Sequence, residues 1–162
     1  MLLCSQLRQL IIKPALYDLA CDSLDAEELL MFTCATESKG CSYIKQINGP
    51  ALGIYQMEPK TYNDIWQNYI RNKSQLSLIM TNNFGCTQIP DEQRLMYDLR
   101  FATAMARIHY MRVDEKLPSY KDVDAIWEYY KKYYNTGLGK ANKEDAIHNY
   151  RFYTLQPLNI ND

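Results

Sequence analysis

Apolar side chains along the 162-residue chain recur mostly at helical spacing. Ser23 is a good N-cap for a helix running from about residue 24 to about residue 38. Asp25, Glu27 and Glu28 fall in its first turns, where the helix dipole favours acids. Ala26, Leu30, Thr33, Cys34 and Glu37 share one face, which puts Glu37 on the largely apolar side, in the last turn. Gly40 ends the helix. Pro59 suits the first position of the next one, which carries Tyr62, Ile65, Trp66, Tyr69 and Ile70 on roughly one side. A further helix is predicted around 73–82. The run from Asp91 to about Val113 is the longest helical candidate. Leu95, Leu99, Ala102, Met105, Ala106 and His109 follow the period there. The small residues Ala102, Ala104 and Ala106 permit close packing, so this helix is expected at the centre of the domain. Two more helices are predicted at 121–134 and 141–153. Residues 1–20 read as one or two short helices, with Pro14 marking a break or a first helical position.

Residues 42–57 lack that period. Tyr43 to Ile47 can form a strand, Asn48-Gly49-Pro50 is a turn signal, and Ala51 to Met57 can return beside it. A small β-hairpin is therefore expected in an otherwise mainly α fold. There is no repeat, no low-complexity tract and no linker, so residues 1–162 are read as one domain. The tail from 155 to 162 is expected to be loosely held.

Composition narrows the function classes. The chain is 47% hydrophobic and 23% charged, the balance of a folded domain and not of a disordered one. Eighteen basic against nineteen acidic residues leave a net charge of −1, so bulk charge does not attract nucleic acid. Fourteen residues are Tyr, which suits amphipathic clefts of the kind that bind sugars. Tyrosines at the edge of a core are the commoner occurrence. The five cysteines are odd in number and form no CxxC pair, and only two histidines are present, so no metal site is expected. The thiols are read as mostly reduced. Cys34 and Cys41 are near enough in sequence to pair. The N-terminal stretch MLLCSQLRQLIIK has no basic region ahead of an apolar run. No stretch approaches a transmembrane helix, so neither export signal nor stable membrane insertion is expected. A monomer is the default expectation.

Three groups of residues could carry chemistry. Glu37 meets the negative end of its helix dipole and faces apolar neighbours. Both effects raise a carboxyl pKa, as a general acid requires. A surface Glu at a frayed helix end is the bland alternative. In Gly53-Ile54-Tyr55-Gln56-Met57-Glu58, just before Pro59, Gly53 permits close backbone approach to a ligand. Gln56 can both donate to and accept from a sugar. Glu58 is a second carboxylate, or simply a helix cap. Tyr133-Tyr134-Asn135-Thr136-Gly137 either stops a helix or presents a hydroxyl and an amide to a cleft. His109 and the two tryptophans, Trp66 and Trp127, are expected in or at the edge of the core, and His148 at the surface.

Together these pieces resemble the lysozyme-like superfamily that cleaves peptidoglycan, and look most like soluble lytic transglycosylases and goose-type lysozymes. The resemblance rests on Glu37-Ser38 at a helix end, Gly53-Ile54-Tyr55-Gln56 after it, and Tyr134-Asn135-Thr136-Gly137 late in the chain. The wording GPALGIYQMEPKTYNDIW and KYYNTGLGKA also looks like phage-encoded lysins and virion-associated cell-wall enzymes. The resemblance implies an α+β lysozyme-like domain with the hairpin beside the cleft. It implies cleavage of the β-1,4 bond between N-acetylmuramic acid and N-acetylglucosamine, with Glu37 as general acid and no metal or organic cofactor. It further implies that Ser38 fixes the Glu37 carboxyl, while Gly53, Tyr55, Gln56, Tyr134 and Asn135 meet the glycan. Transglycosylases usually carry an uncharged residue where Glu58 stands, so Glu58 tilts the expectation toward hydrolysis. No acid in 42–57 matches the extra carboxylate of goose-type enzymes, which keeps the transglycosylase outcome open. Such an enzyme would be made in a host cytoplasm and act on the bacterial wall after release or delivery. A glycan-binding or structural phage tail module, and a chitinase-like activity, are the alternatives.

Overall fold

The computed structural model describes residues 2–136 and 140–155. Gly137, Leu138 and Gly139 of the late motif, and most of the tail, lie outside them. The architecture is mainly helical. A helical stretch at the N-terminus comprises α1 (Cys4–Gln6), a π-turn (Leu7–Ile12) and α2 (Lys13–Asp18). The wide turn gives way to α-helix beside Pro14, whose missing N–H and bulky ring disturb an α ladder. There follow α3 (Leu24–Ser38), α4 (Pro59–Asn68), a 3₁₀ turn (Ile70–Asn72), α5 (Ser74–Phe84) and α6 (Arg94–Tyr97). The chain continues through α7 (Leu99–Met111), α8 (Val123–Tyr133) and α9 (Lys143–Thr154).

Helix α3 begins where Ser23 caps it, its Oγ accepting the Ala26 N–H at 3.1 Å. It has no solvent face over most of its length. Leu30, Met31, Cys34 and Ala35 enter one core cluster, while Leu29 and Phe32 enter another with Tyr110, Ile126, Trp127 and Tyr130. Helices α2, α7, α8 and α9 all pack against it. Thr33, at the middle of α3, is satisfied twice: its hydroxyl donates to the Leu29 carbonyl at 2.7 Å and accepts from Tyr110 at 2.8 Å.

The predicted long helix over 91–113 is broken. Asp98 is extended (φ −113°, ψ 91°) and its Oδ1 accepts the Phe101 N–H at 2.9 Å, so it starts α7 as an N-cap. The apolar period runs through Asp98 unbroken, which hides the break in the sequence. The alanines of α7 are buried as expected, yet the helix enclosed on all sides is α3.

The expected β-hairpin does not form. Among the described residues there are only two isolated antiparallel bridges, Lys45 with Leu52 and Leu52 with Met57. Ile44 and Ile47 are 47% and 76% exposed, so the first arm has no apolar surface to lie on. A lone two-stranded ribbon is marginal without one. The second arm instead turns back on itself: Leu52 and Met57 exchange N–H···O bonds at 2.9 and 3.0 Å, closing a loop over residues 53–56.

Gly53 is the pivot of that loop. It takes φ +74°, and a Cβ there would stand 2.4 Å from the Leu95 carbonyl oxygen. The close approach it permits is to the backbone of α6, and not to a ligand as the sequence suggested. We expect Gly53→Ala to lose about 2–3 kcal/mol from the left-handed backbone and the clash together. That corresponds to a thermal midpoint lower by about 5–10 °C, read by differential scanning calorimetry.

Candidate active site

The last turn of α3 carries Glu37 into a cleft of ≈ 680 Å³. The cleft is walled by the loop of residues 51–58, by the end of α8 and by the segment after it. Thr36, Gln56, Glu58, Tyr134 and Asn135 line it together with Glu37. Glu37 itself is half-buried. Its Oε1 accepts from the Tyr130 hydroxyl at 2.6 Å, and the Asn135 amide also donates to the carboxyl. Tyr43, from the other side, bonds the Glu37 backbone carbonyl at 2.8 Å.

Burial pushes the Glu37 pKa up from 4.5 to about 7. The hydrogen bonds from Tyr130 and Asn135 and the charge of Lys131 pull the other way and do not cancel it. Lys131 lies near because its ammonium donates to Asn135 Oδ1 at 2.9 Å. The result is a carboxyl that keeps its proton into the neutral range and lines an open cleft, a combination that suits proton donation.

His109 also lines the cleft, but as a neutral ring. Burial and then the adjacent Arg112 charge lower its pKa to about 4. Arg112 can only donate, so its 2.7 Å contact makes Nδ1 an acceptor, and the ring donates in turn to the Tyr133 carbonyl. The expectation of a packed histidine describes it well, with the addition that one side of it meets the cleft.

The other predicted site residues divide into two sets. Gln56 and Glu58 reach the cleft. Gln56 takes φ +47° and its Nε2 donates to the Gly53 carbonyl at 2.7 Å, leaving its side-chain oxygen without a bond from the loop. Glu58 sits at the N-cap position of α4 but makes no capping hydrogen bond, so its exposed carboxylate is directed elsewhere.

The second set is structural. Ser38 does not hold the Glu37 carboxyl: it is fully buried, donates to the Cys34 carbonyl at 3.2 Å and accepts the Cys41 N–H at 3.1 Å. One position along a helix turns a side chain by about 100°, so neighbours in sequence point apart. Tyr55 cannot meet a glycan either. It is 1% exposed, with its hydroxyl against Thr103 Oγ1 at 3.2 Å. Tyr134 gives the cleft its ring but not its hydroxyl, which is spent on the Tyr55 carbonyl at 2.8 Å.

Tyr130 was not singled out from the sequence. The signal was present, since Tyr130 and Tyr134 are four residues apart and share a helical face. Their rings stack at 6.1 Å between centroids. A second hollow of ≈ 720 Å³ lies along α9, between Lys143 and Leu155. It is formed by the exposed face of that helix, with no buried acid or base turned toward it.

The chain matches no protein-family model, no curated protein and no solved structure. Its chemistry is therefore argued from these side chains. No helix among the described residues is long and apolar enough to cross a membrane. No cluster of three or more His, Cys, Asp or Glu side chains suited to a metal occurs among them either.

The raised pKa of Glu37 makes stability depend on pH with a definite sign. The folded state holds the proton more tightly than the unfolded state. The contribution is therefore intact below about pH 4.5 and is lost as pH rises to about 7. The loss is about 3 kcal/mol. Glu37→Gln, which cannot ionise, is expected to be the more stable protein at pH 8 by about 2–3 kcal/mol and to have no such advantage at pH 4.5. Urea titrations at the two pH values measure it.

Proposed function

We propose that this protein cleaves the glycan strands of peptidoglycan at the β-1,4 bond between N-acetylmuramic acid and N-acetylglucosamine, with Glu37 as the general acid. The observation that carries the reading is the Glu37 carboxyl, poised near pH 7 inside a cleft and held by Tyr130 and Asn135. The order of the Glu37-Ser38, Gly53-Gln56 and Tyr134-Asn135 motifs supports the same chemistry through its likeness to lysozyme-like enzymes.

Tyr130 donates to Oε1, so the proton of the neutral acid resides on Oε2. From there it passes to the glycosidic oxygen as the bond to the anomeric carbon breaks. Glu58 is exposed on the same cleft and released from capping, which supports a role in activating water. Hydrolysis with inversion follows, and we adopt it as the outcome. In the competing outcome the 6-hydroxyl of the muramic acid attacks its own anomeric carbon, with Glu37 acting as base and then acid. That route gains from being intramolecular and needs no second carboxylate. Gln56 and Asn135 offer amide groups to the acetamido and hydroxyl substituents of the sugar. No step calls for a metal or organic cofactor. The enzyme works as a monomer on the bacterial wall after release or delivery, in the manner of phage lysins.

Purified peptidoglycan digested with wild type and with Glu37→Gln tests this. Wild type is expected to release soluble muropeptides, and the variant to be about 100-fold slower or more. Reducing ends in the products mean hydrolysis, and anhydro-muramyl ends mean the intramolecular route. No release by folded wild type from several peptidoglycans would leave a glycan-binding module instead. Tyr130→Phe removes a bond that favours the ionised acid, so the Glu37 pKa rises. The high-pH limb of the rate profile is then expected to move upward, with the maximum rate lower by about tenfold through looser positioning.

A further inference from the structure

The turn that closes α3 holds a second chemistry. Cys34, one helical turn before Ser38, is fully buried, and Cys41 is half-buried. Their sulfur atoms stand 3.2 Å apart. A disulfide bond is about 2.05 Å long, so only about 1 Å of approach separates the contact from the bond.

Backbone geometry creates this contact. Lys39, Gly40 and Cys41 take φ +49°, +64° and +62° in succession, which folds the chain back onto the helix it has just left. Two of the three are not glycine. The fold-back is held by Ser38, whose Oγ accepts the Cys41 N–H at 3.1 Å. It is backed by Tyr153 of α9, whose ring lies 2.3 Å from where a Gly40 Cβ would be. The two thiols are thus carried by a braced turn and need no large movement to meet.

We propose that Cys34 and Cys41 form an intramolecular disulfide when the chain meets an oxidising environment. The oxidant is a small-molecule disulfide such as oxidised glutathione. Cys41, the accessible partner, loses its proton and attacks that disulfide. One glutathione leaves as thiolate and a mixed disulfide remains on Cys41. Cys34 then loses its proton, its sulfur attacks Cys41 Sγ, and the second glutathione leaves. Two protein thiols are oxidised by two electrons, one glutathione disulfide is reduced to two thiols, and the released protons end on the leaving thiolates. Burial holds the Cys34 thiol pKa well above its usual value, so the second step is the slow one.

The bond would close the loop 34–41, which contains Glu37. The pairing itself does not depend on what Glu37 does. Its benefit does rest on the proposed function: the turn bearing the acid is fastened in the compartment where a cell-wall polymer is met. Cys4 also lies close enough to interact with Cys34 and is the internal competitor.

The full chain, reduced and then incubated with oxidised glutathione, is alkylated and digested with trypsin. Lys39 lies between the two cysteines, so trypsin separates them and only a disulfide keeps their peptides joined. The expected product is the Cys34–Cys41 peptide pair, lighter by two hydrogen atoms than the sum of its reduced parts. A rise of about 5 °C or more in thermal midpoint should accompany it and be reversed by dithiothreitol. Cys41→Ser should lose both signals with Cys4, Cys21 and Cys86 still in place. Cys34 recovered alkylated, a Cys4–Cys34 link, or a glutathione adduct that stops at Cys41 would each overturn the proposal. These readouts come from the protein alone, so they stand or fall apart from any activity on peptidoglycan.

Discussion

Helix α3 is enclosed by α2, α7, α8 and α9, and this enclosure governs where polar chemistry can occur. A buried helix can carry ionisable groups only near its ends, where a partner or solvent is within reach. At its start, Glu28 pairs with Arg8 at 2.9 Å and accepts from Tyr150. That end has a full positive charge in contact, shared between Glu28 and Glu27. At its finish, among the described residues, a phenol and an amide bond the Glu37 carboxyl, and the Lys131 charge acts on it more weakly than burial does. Desolvation is then offset only in part, and the acid keeps its proton into the neutral range. The same enclosure therefore makes one end of the helix an anchor and leaves at the other a carboxyl whose pKa is raised.

Tyrosine ties the elements of this core together. A phenylalanine core would bury as much apolar surface but could not tie elements together. Here the ring packs in or against the core and the hydroxyl reaches an oxygen elsewhere in the chain: Tyr62 to the Pro90 carbonyl at 2.8 Å, Tyr69 to the Met111 carbonyl at 2.8 Å, Tyr110 to Thr33. Each such bond adds on the order of 1 kcal/mol and fixes one orientation of the pair it joins. Tyr130 belongs to the same network and differs only in the oxygen it finds. Many of the tyrosines thus lie in or at the edge of the core, the commoner of the two readings that their abundance allowed.

The helices were legible because their signals are local. Ser23, Pro59 and the apolar period place α3 and α4 within a residue or two of where they lie. The break at Asp98 within the expected 91–113 helix is not legible, because a cap is defined by backbone direction and the apolar period does not register a change of axis. The hairpin was misread for a related reason. Asn48-Gly49-Pro50 is a sound turn signal, but a strand also needs a surface to cover, and no local pattern reveals that Ile44 and Ile47 lack one. In the site, the prominence of Glu37 followed from its place on the helix. The partner that matters most to it, Tyr130, lies 93 residues away in sequence, a juxtaposition that only the packing of α8 on α3 creates.

The motifs that suggested the chemistry turn out to mix two kinds of work. Gly53, Tyr55, Ser38 and the Tyr134 hydroxyl hold backbone in place, while Glu37, Gln56, Glu58 and Asn135 present groups to the cleft. The mixture has a physical logic. The loop of residues 53–56 has no sheet to stiffen it, so beyond the Leu52–Met57 backbone bonds its shape comes from a few side chains, two within the loop and one from the far motif. Tyr55 plugs the loop into the core, Tyr134 clamps its carbonyl from across the cleft, and Gly53 lets it lie flat on Leu95. Only after those three constraints are met does Gln56 have a defined direction. Site residues and supports then stand side by side within each motif, Gln56 beside Tyr55 and Asn135 beside Tyr134. A motif of this kind signals that a cleft is built here more reliably than it signals which of its members touch the ligand.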